Sequence, residues 1–129
     1  MKTLGIETSC DETAIAVYDS EHGIIGESVY SQIKMHAEYG GVVPELASRD
    51  HCVKIIGVLK EAIGDIDLKT IDQIAYTSGP GLLGALLMGE SFAQGLSTAL
   101  DIPYPKTVSL DFQDFGVPPG VAPCQAGGR

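Results

Sequence analysis

Thr8, Ser9, Asp11, Glu12 and Thr13 bring three hydroxyls and two carboxylates into one short stretch near the amino terminus. Leu4 and Ile6 end an apolar run before them, and Ala14, Ile15, Ala16 and Val17 resume it after them. The pattern reads as strand, tight polar turn, strand. Such a turn gathers hydroxyls, backbone N–H groups and carboxylates around one point, which suits a phosphate or a phosphate-bound metal ion. An ordinary polar hairpin turn has the same composition, because Ser, Thr and Asp favour turns in their own right. The residues alone leave both readings open. Glu7 reads either as part of that site or as a buried structural carboxylate. Cys10 has no histidine near it in sequence and reads as a small residue in a tight turn rather than a thiol nucleophile. A second turn, Ser78-Gly79-Pro80-Gly81, lies between a strand end and a helix start, where backbone N–H groups attract anions.

The elements that must position these turns are legible in outline. Strands are expected over about 3–9, 13–19 and 24–30, with His22-Gly23 as the break between the second and third. Connections this short require antiparallel neighbours. Gly40-Gly41 then breaks the chain, and Pro44 stands at a favoured first helical position, with Glu45 at the positive end of the helix dipole. Glu45 and Arg49 form a favourable pair one turn apart. Leu46, Cys52, Val53, Ile55, Ile56, Leu59 and Ile63 give this helix an apolar stripe, and Gly64 ends it. Ile71 to Thr77 reads as a fourth strand, and a long helix follows the Gly-Pro-Gly turn to about Leu100. Gly81, Ala85, Gly89, Ala93 and Ser97 recur every four residues along it. Such a row permits close approach of another backbone, and packing on the chain's own sheet accounts for it better than a partner groove.

The chain has 129 residues, enough for one domain, and 44% hydrophobic residues, enough for a modest core. Its net charge of −9 argues against holding nucleic acid by itself, because phosphate backbones need a cationic surface. Cys10, Cys52 and Cys124 are far apart and lack C-x-x-C spacing, which argues against a zinc knuckle and fits a reducing compartment. Met1-Lys2-Thr3 leads straight into a strand with no signal-peptide pattern, and the longest apolar run, from Gly79 to Gly89, is too short to cross a bilayer. A soluble, cytoplasmic chain is expected, with no membrane partner. Five of the seven prolines lie after Ile102, and periodicity is lost there. The expected division is a folded region over 1–103 and a divergent, Pro/Gly-rich, disordered tail over 104–129.

Three blocks, in one order and spacing, carry a family resemblance. They are Ile6-Glu7-Thr8-Ser9-Cys10-Asp11-Glu12-Thr13, the stretch from His36 to Arg49, and Thr77-Ser78-Gly79-Pro80-Gly81-Leu82-Leu83-Gly84-Ala85-Leu86. Together they resemble the amino-terminal part of the TsaD family, formerly called O-sialoglycoprotein endopeptidase (Gcp). The likeness runs from Met1 to about Pro103. It implies an α/β fold: one lobe, in part, of an actin-like ATPase (sugar kinase, Hsp70, actin; ribonuclease H-like). A mixed sheet with flanking helices is expected, with the second lobe missing.

The resemblance also implies a chemistry. The family transfers a threonylcarbamoyl group from threonylcarbamoyl-adenylate to N6 of adenosine 37 in tRNAs that read codons starting with A. On this chain it assigns Glu7, Thr8, Ser9, Cys10, Gly79 and Gly81 to binding of the adenylate or ATP, and Asp11 and Glu12 to a catalytic place beside the metal or bound water. The family's iron or zinc is held through a His-x-x-x-His pair whose counted positions carry Ser109 and Gln113 here. No metal ligand is therefore assigned to this chain, which reads as truncated and inactive alone. Implied partners are a TsaB-like companion, met through the helix from Pro44 to Ile63, an ATPase, and tRNA within the full complex. Alternative readings are a non-catalytic module pairing with that companion, and a sugar-kinase-like phosphotransferase. The older endopeptidase assignment finds no support, since neither a zinc-protease helix motif nor a nucleophile–base pair is present.

Overall fold

The computed structural model of the chain describes residues 1–108. In chain order the elements are β1 (Lys2–Glu7), β2 (Glu12–Asp19), β3 (Gly23–Ser31), α1 (Ile33–Ala37), α2 (Pro44–Ile63), a 3₁₀ turn (Leu68–Thr70), β4 (Gln73–Gly79), α3 (Leu83–Leu100) and β5 (Lys106–Val108). The strands form one mixed sheet in the order β3-β2-β1-β4-β5. The hairpin-linked β1, β2 and β3 pair antiparallel, whereas β4 and β5 join in parallel. The three antiparallel strands and the mixed sheet are as expected, and the fourth strand joins through a crossover that contains α2.

Strand alternation sorts the side chains onto two faces. Leu4, Ile6, Ile15, Val17, Ile74 and Tyr76 point to one face, where they form a single core with Ile55, Val58, Leu59, Ala62 and Ile63 of α2 and Ala93 of α3. Both long helices therefore lie on the same side. The other face carries Gly5, Ala14, Ala16 and Ala75 as a floor of small residues, edged by Glu7, Glu27, Val29, Thr77 and Thr107, around a depression of about 280 Å³.

α2 begins at Pro44 and ends before Gly64, whose φ of 52° suits glycine. Arg49 Nη2 lies 2.7 Å from Glu45 Oε1, the expected pair. Its buried face differs from the expected stripe. Ala47, His51, Ile55, Val58, Leu59, Ala62 and Ile63 are buried, whereas Val53 and Ile56 are 73% and 55% exposed and Cys52 is exposed. A stripe drawn from apolar types alone misplaces the helix, which turns a histidine and two alanines inward in their place. In α3 the row Ala85, Gly89, Ala93 and Ser97 is buried within the chain's own fold, Ala93 in the core with the sheet residues and Ala85 against Cys10 and Ala47.

β5 carries the sheet beyond the expected end of the folded region at Pro103. Its partners on β4 are Tyr76↔Lys106, Thr77↔Thr107 and Gly79↔Val108. Tyr104, just before it, stacks on Tyr76 with ring centroids 6.1 Å apart. The expected disordered tail thus loses its first residues to the sheet, and its remainder lies outside the described residues. No helix among the described residues is long and apolar enough to cross a membrane.

Candidate functional site

The turn between β1 and β2 is held from several sides. Glu7 Oε1 accepts from the Ser9 N–H at 2.5 Å, and its Oε2 accepts from the Thr77 hydroxyl at 2.7 Å. The Thr8 hydroxyl donates to the Ala85 carbonyl at 2.8 Å and is buried. Behind it, a Cβ on Gly89 would lie 2.5 Å from Thr8 Oγ1, so α3 can approach this closely only through glycine. Three consecutive carbonyls are then taken up. Ser9 O accepts from the Leu82 N–H at 2.8 Å, Cys10 O from His51 Nε2 at 2.7 Å, and Asp11 O from the Gln32 N–H at 2.8 Å. Among the described residues the one cis peptide is Gly79–Pro80, so the peptides of this turn are trans. In a planar trans peptide the N–H points opposite to the C=O. Fixing the Ser9 and Cys10 carbonyls therefore turns the N–H groups of Cys10 and Asp11 away from the helices.

The two turns singled out in the sequence meet. A Cβ on Gly81 would sit 2.5 Å from Ser9 O and 2.8 Å from Ser9 Cβ. Contact with Ser9 is what requires glycine at 81. Gly79 has open space about it, and the neighbouring Ser78 hydroxyl donates to Thr107 O at 2.8 Å, tying the second turn to β5.

Each expected site residue thus has a place. Glu7 and Thr8 brace the turn through bonds to Ser9, Thr77 and Ala85. Cys10 is buried and takes part through its carbonyl. Gly81 lies against Ser9, and the Asp11 and Glu7 carboxylates are near enough to Glu12 to act on its charge. The field there is negative. Burial raises the Glu12 pKa above the ordinary carboxylate value, and the Asp11 and Glu7 charges raise it further. A bare anion is repelled by such a turn, whereas a phosphate that brings its own cation is not.

Sequence reasoning missed His51, and it placed the Thr13 hydroxyl in the turn without its partner. The His51 ring is fully buried, with Nε2 on Cys10 O and Nδ1 2.7 Å from Thr13 Oγ1. A carbonyl only accepts, so Nε2 bears the proton and Nδ1 accepts from the Thr13 hydroxyl. Burial lowers the His51 pKa below the ordinary histidine value. The Cys10 carbonyl and the charges of Asp50, Glu7 and Asp11 partly oppose this. The overlooked signal was position, because His51 falls on the same helical face as Ala47, Ile55 and Val58.

The described residues alone offer no ready-made set of ligands for a metal ion. No cluster of three or more His, Cys, Asp or Glu among the described residues has a suitable arrangement. His36, like His51, uses both ring nitrogens within the fold: Nε2 donates to Gln32 Oε1 at 2.7 Å, and Nδ1 accepts from the Val43 N–H at 3.2 Å. Ser109 and Gln113, the counted metal-ligand positions, lie outside the described residues.

Comparison with known proteins agrees with this architecture. YeaZ from Pseudomonas aeruginosa superposes with a TM-score of 0.62 at 18% identity, covering 84% of this chain and 45% of that one. A second solved structure, an uncharacterized protein from Pseudomonas aeruginosa with similarity to peptidase YeaZ, gives 0.60 at 20% identity, covering 83% and 43%. The chain thus spans less than half the length of these structures, and the likeness establishes the fold alone: part of the actin-like mixed-sheet α/β fold expected from the sequence. A sequence model of TsaD, tRNA N6-adenosine threonylcarbamoyltransferase, matches residues 23–111. That match covers β3 through β5, including the turn at Gly79–Gly81 that packs on Ser9. The chain belongs to the TsaD family.

Proposed function

We propose that this chain supplies the phosphate-gripping part of a transferase that moves a threonylcarbamoyl group from its adenylate to N6 of adenosine 37 in tRNA. The observation that carries the reading is the TsaD match over residues 23–111, joined to a braced polar turn against its glycine turn. In the reaction the adenine N6 attacks the carbamoyl carbon, an N–C bond forms, the C–O bond to phosphate breaks with its electron pair leaving on AMP, and the proton lost from N6 passes to water. The Ser9 hydroxyl and the outward N–H groups of the turn hold the departing phosphate. Asp11 and Glu12 face the cation or water that accompanies it, Gly79 keeps the approach open, and Gly81 seats the second turn against Ser9 beside the phosphate. The family's iron or zinc supplies Lewis-acid chemistry when bound, and no step is assigned to it on this chain. The acidic chain does not dock tRNA alone, so the activity requires the companion subunits, the ATPase and the further family segments. Titration with magnesium–ATP, so that the phosphate brings its own cation, followed by the amide signals of residues 8–12 tests the grip: saturable shifts support it, and their absence refutes it. Incubation of the isolated chain with tRNA, threonine, bicarbonate and ATP is expected to give no modified adenosine.

A second reading has its own observation. Val53, Ile56, Leu83 and Leu87 are 73%, 55%, 75% and 45% exposed on the outer sides of α2 and α3. Single exposed apolar residues are ordinary, but four on two adjacent helices favour a docking face. We assign it to a TsaB-like companion, whose relationship to this fold is supported by the YeaZ likeness. Co-elution of the two proteins on size exclusion tests this, and separate elution overturns it.

A further inference from the structure

We propose that His51 is the positioning residue of the phosphate turn: its Nε2–H holds the Cys10 carbonyl toward α2 and thereby aims the Asp11 N–H at the bound phosphate. The inference rests on the reading of the turn as a phosphate grip and adds the residue that sets its polarity.

The three carbonyls of the turn differ in what holds them. Ser9 O and Asp11 O are held by the backbone N–H groups of Leu82 and Gln32, which no side-chain substitution removes. Between them, Cys10 O is held by a side chain, His51 Nε2, at 2.7 Å. The orientation of the Cys10–Asp11 peptide therefore depends on an imidazole 41 residues away in sequence. Cys10 is only 4% exposed, so a carbonyl deprived of this donor would be a buried acceptor that has lost a hydrogen bond. Rotating the peptide plane relieves that loss by turning the carbonyl toward water. The same rotation turns the Asp11 N–H inward, because the two groups are opposed across one plane. The turn then presents a carbonyl where it had presented a donor, which is repulsive to phosphate.

The other ring nitrogen makes the ring a rigid spacer. Nδ1 accepts from Thr13 Oγ1 on β2 at 2.7 Å, so the imidazole bridges the turn and the strand that leaves it. Neither nitrogen is available for proton exchange with a substrate, and His51 acts through the peptide alone.

Two substitutions separate the two nitrogens. In His51→Gln the terminal amide nitrogen reaches about as far as Nε2 and keeps the donor to Cys10 O. In His51→Asn the shorter side chain keeps an acceptor for Thr13 but cannot reach Cys10 O. The full 129-residue chain, labelled with ¹⁵N and ¹³C, is titrated with ATP in the presence of saturating magnesium and its amide signals followed. Wild type and His51→Gln are expected to bind with similar affinity and to shift the Asp11 amide. His51→Asn is expected to lose at least tenfold in affinity. Thermal unfolding is recorded alongside. If affinity falls equally in both variants, or follows their stability rather than the retained donor, the proposal is overturned. The ligand-free Cys10 carbonyl ¹³C shift gives an independent arm: it should be retained in His51→Gln and displaced in His51→Asn. If ATP does not bind wild type, the phosphate reading fails while this arm still decides the positioning role. Equal carbonyl shifts in wild type and His51→Asn sink it.

Discussion

Glu12 sets how the turn responds to pH. Its pKa is raised in the fold, so between the unfolded value of about 4.5 and the folded one the native state binds more protons than the unfolded state. Stability therefore falls as pH rises through that window and stays lower above it. Glu12→Gln is expected to raise Tm at pH 7 and to leave it nearly unchanged at pH 4, as thermal melts at both values will check. An equal gain at both would show that charge is not the cause. His51 acts in the opposite direction. Its lowered pKa makes stability greatest above about 6.5 and erodes it as pH falls toward the folded value. At this scale the polar turn was legible, because its residue types interrupt an apolar run and the bonds within it are local. The roles were less so. A Thr or Glu in such a turn can face a ligand or brace the fold, and the bonds of Thr8 and Glu7 to Ala85 and Thr77 join residues 77 and 70 apart in sequence. No spacing rule reaches that far.

Among the elements, α3 shows how a small residue fixes distance. Gly89 lies in a helix interior, where alanine is ordinarily better by about 1 kcal/mol. Here the added methyl would meet Thr8 Oγ1 at 2.5 Å. Overpacking of that kind costs about 1–3 kcal/mol, so the steric term exceeds the propensity gain. Gly89→Ala is expected to lower stability by about 1–2 kcal/mol in urea unfolding on the same principles. With Thr8→Ala beneath it, Gly89→Ala should become neutral or stabilising, and a cost that persists would show that the crowding lies elsewhere. The bounds of α2 were readable from Pro44 and Gly64, whose backbone chemistry marks helix ends. Its rotation was not, because hydropathy counts Val53 and Ile56 as core and His51 as surface. β5 was invisible for a different reason. Lys106–Val108 is too short to show a period, and its order comes from hydrogen bonding to β4 rather than from its own pattern.

For the whole molecule, the decisive contrast is between the two sides of the helix layer. The inner side is a packed core, so truncating Ile55 there is expected to cost about 2–5 kcal/mol. On the outer side Val53 and Ile56 are more than half exposed, and substitutions at such positions usually change stability by less than about 0.5 kcal/mol. Val53→Asp with Ile56→Asp should leave Tm within a few degrees of wild type. If that face docks a TsaB-like companion, the same pair of carboxylates must be buried on association without partners, and binding should weaken by at least a hundredfold. Analytical size exclusion and calorimetric titration with the companion measure this directly. Retained binding would move the docking face elsewhere, and the small-residue floor on the opposite side of the sheet would be the next surface to probe. The order of elements in this layer could be read from hydropathy and turn residues. Which side of each helix faces outward could not, because that depends on the sheet to which the helices are fitted.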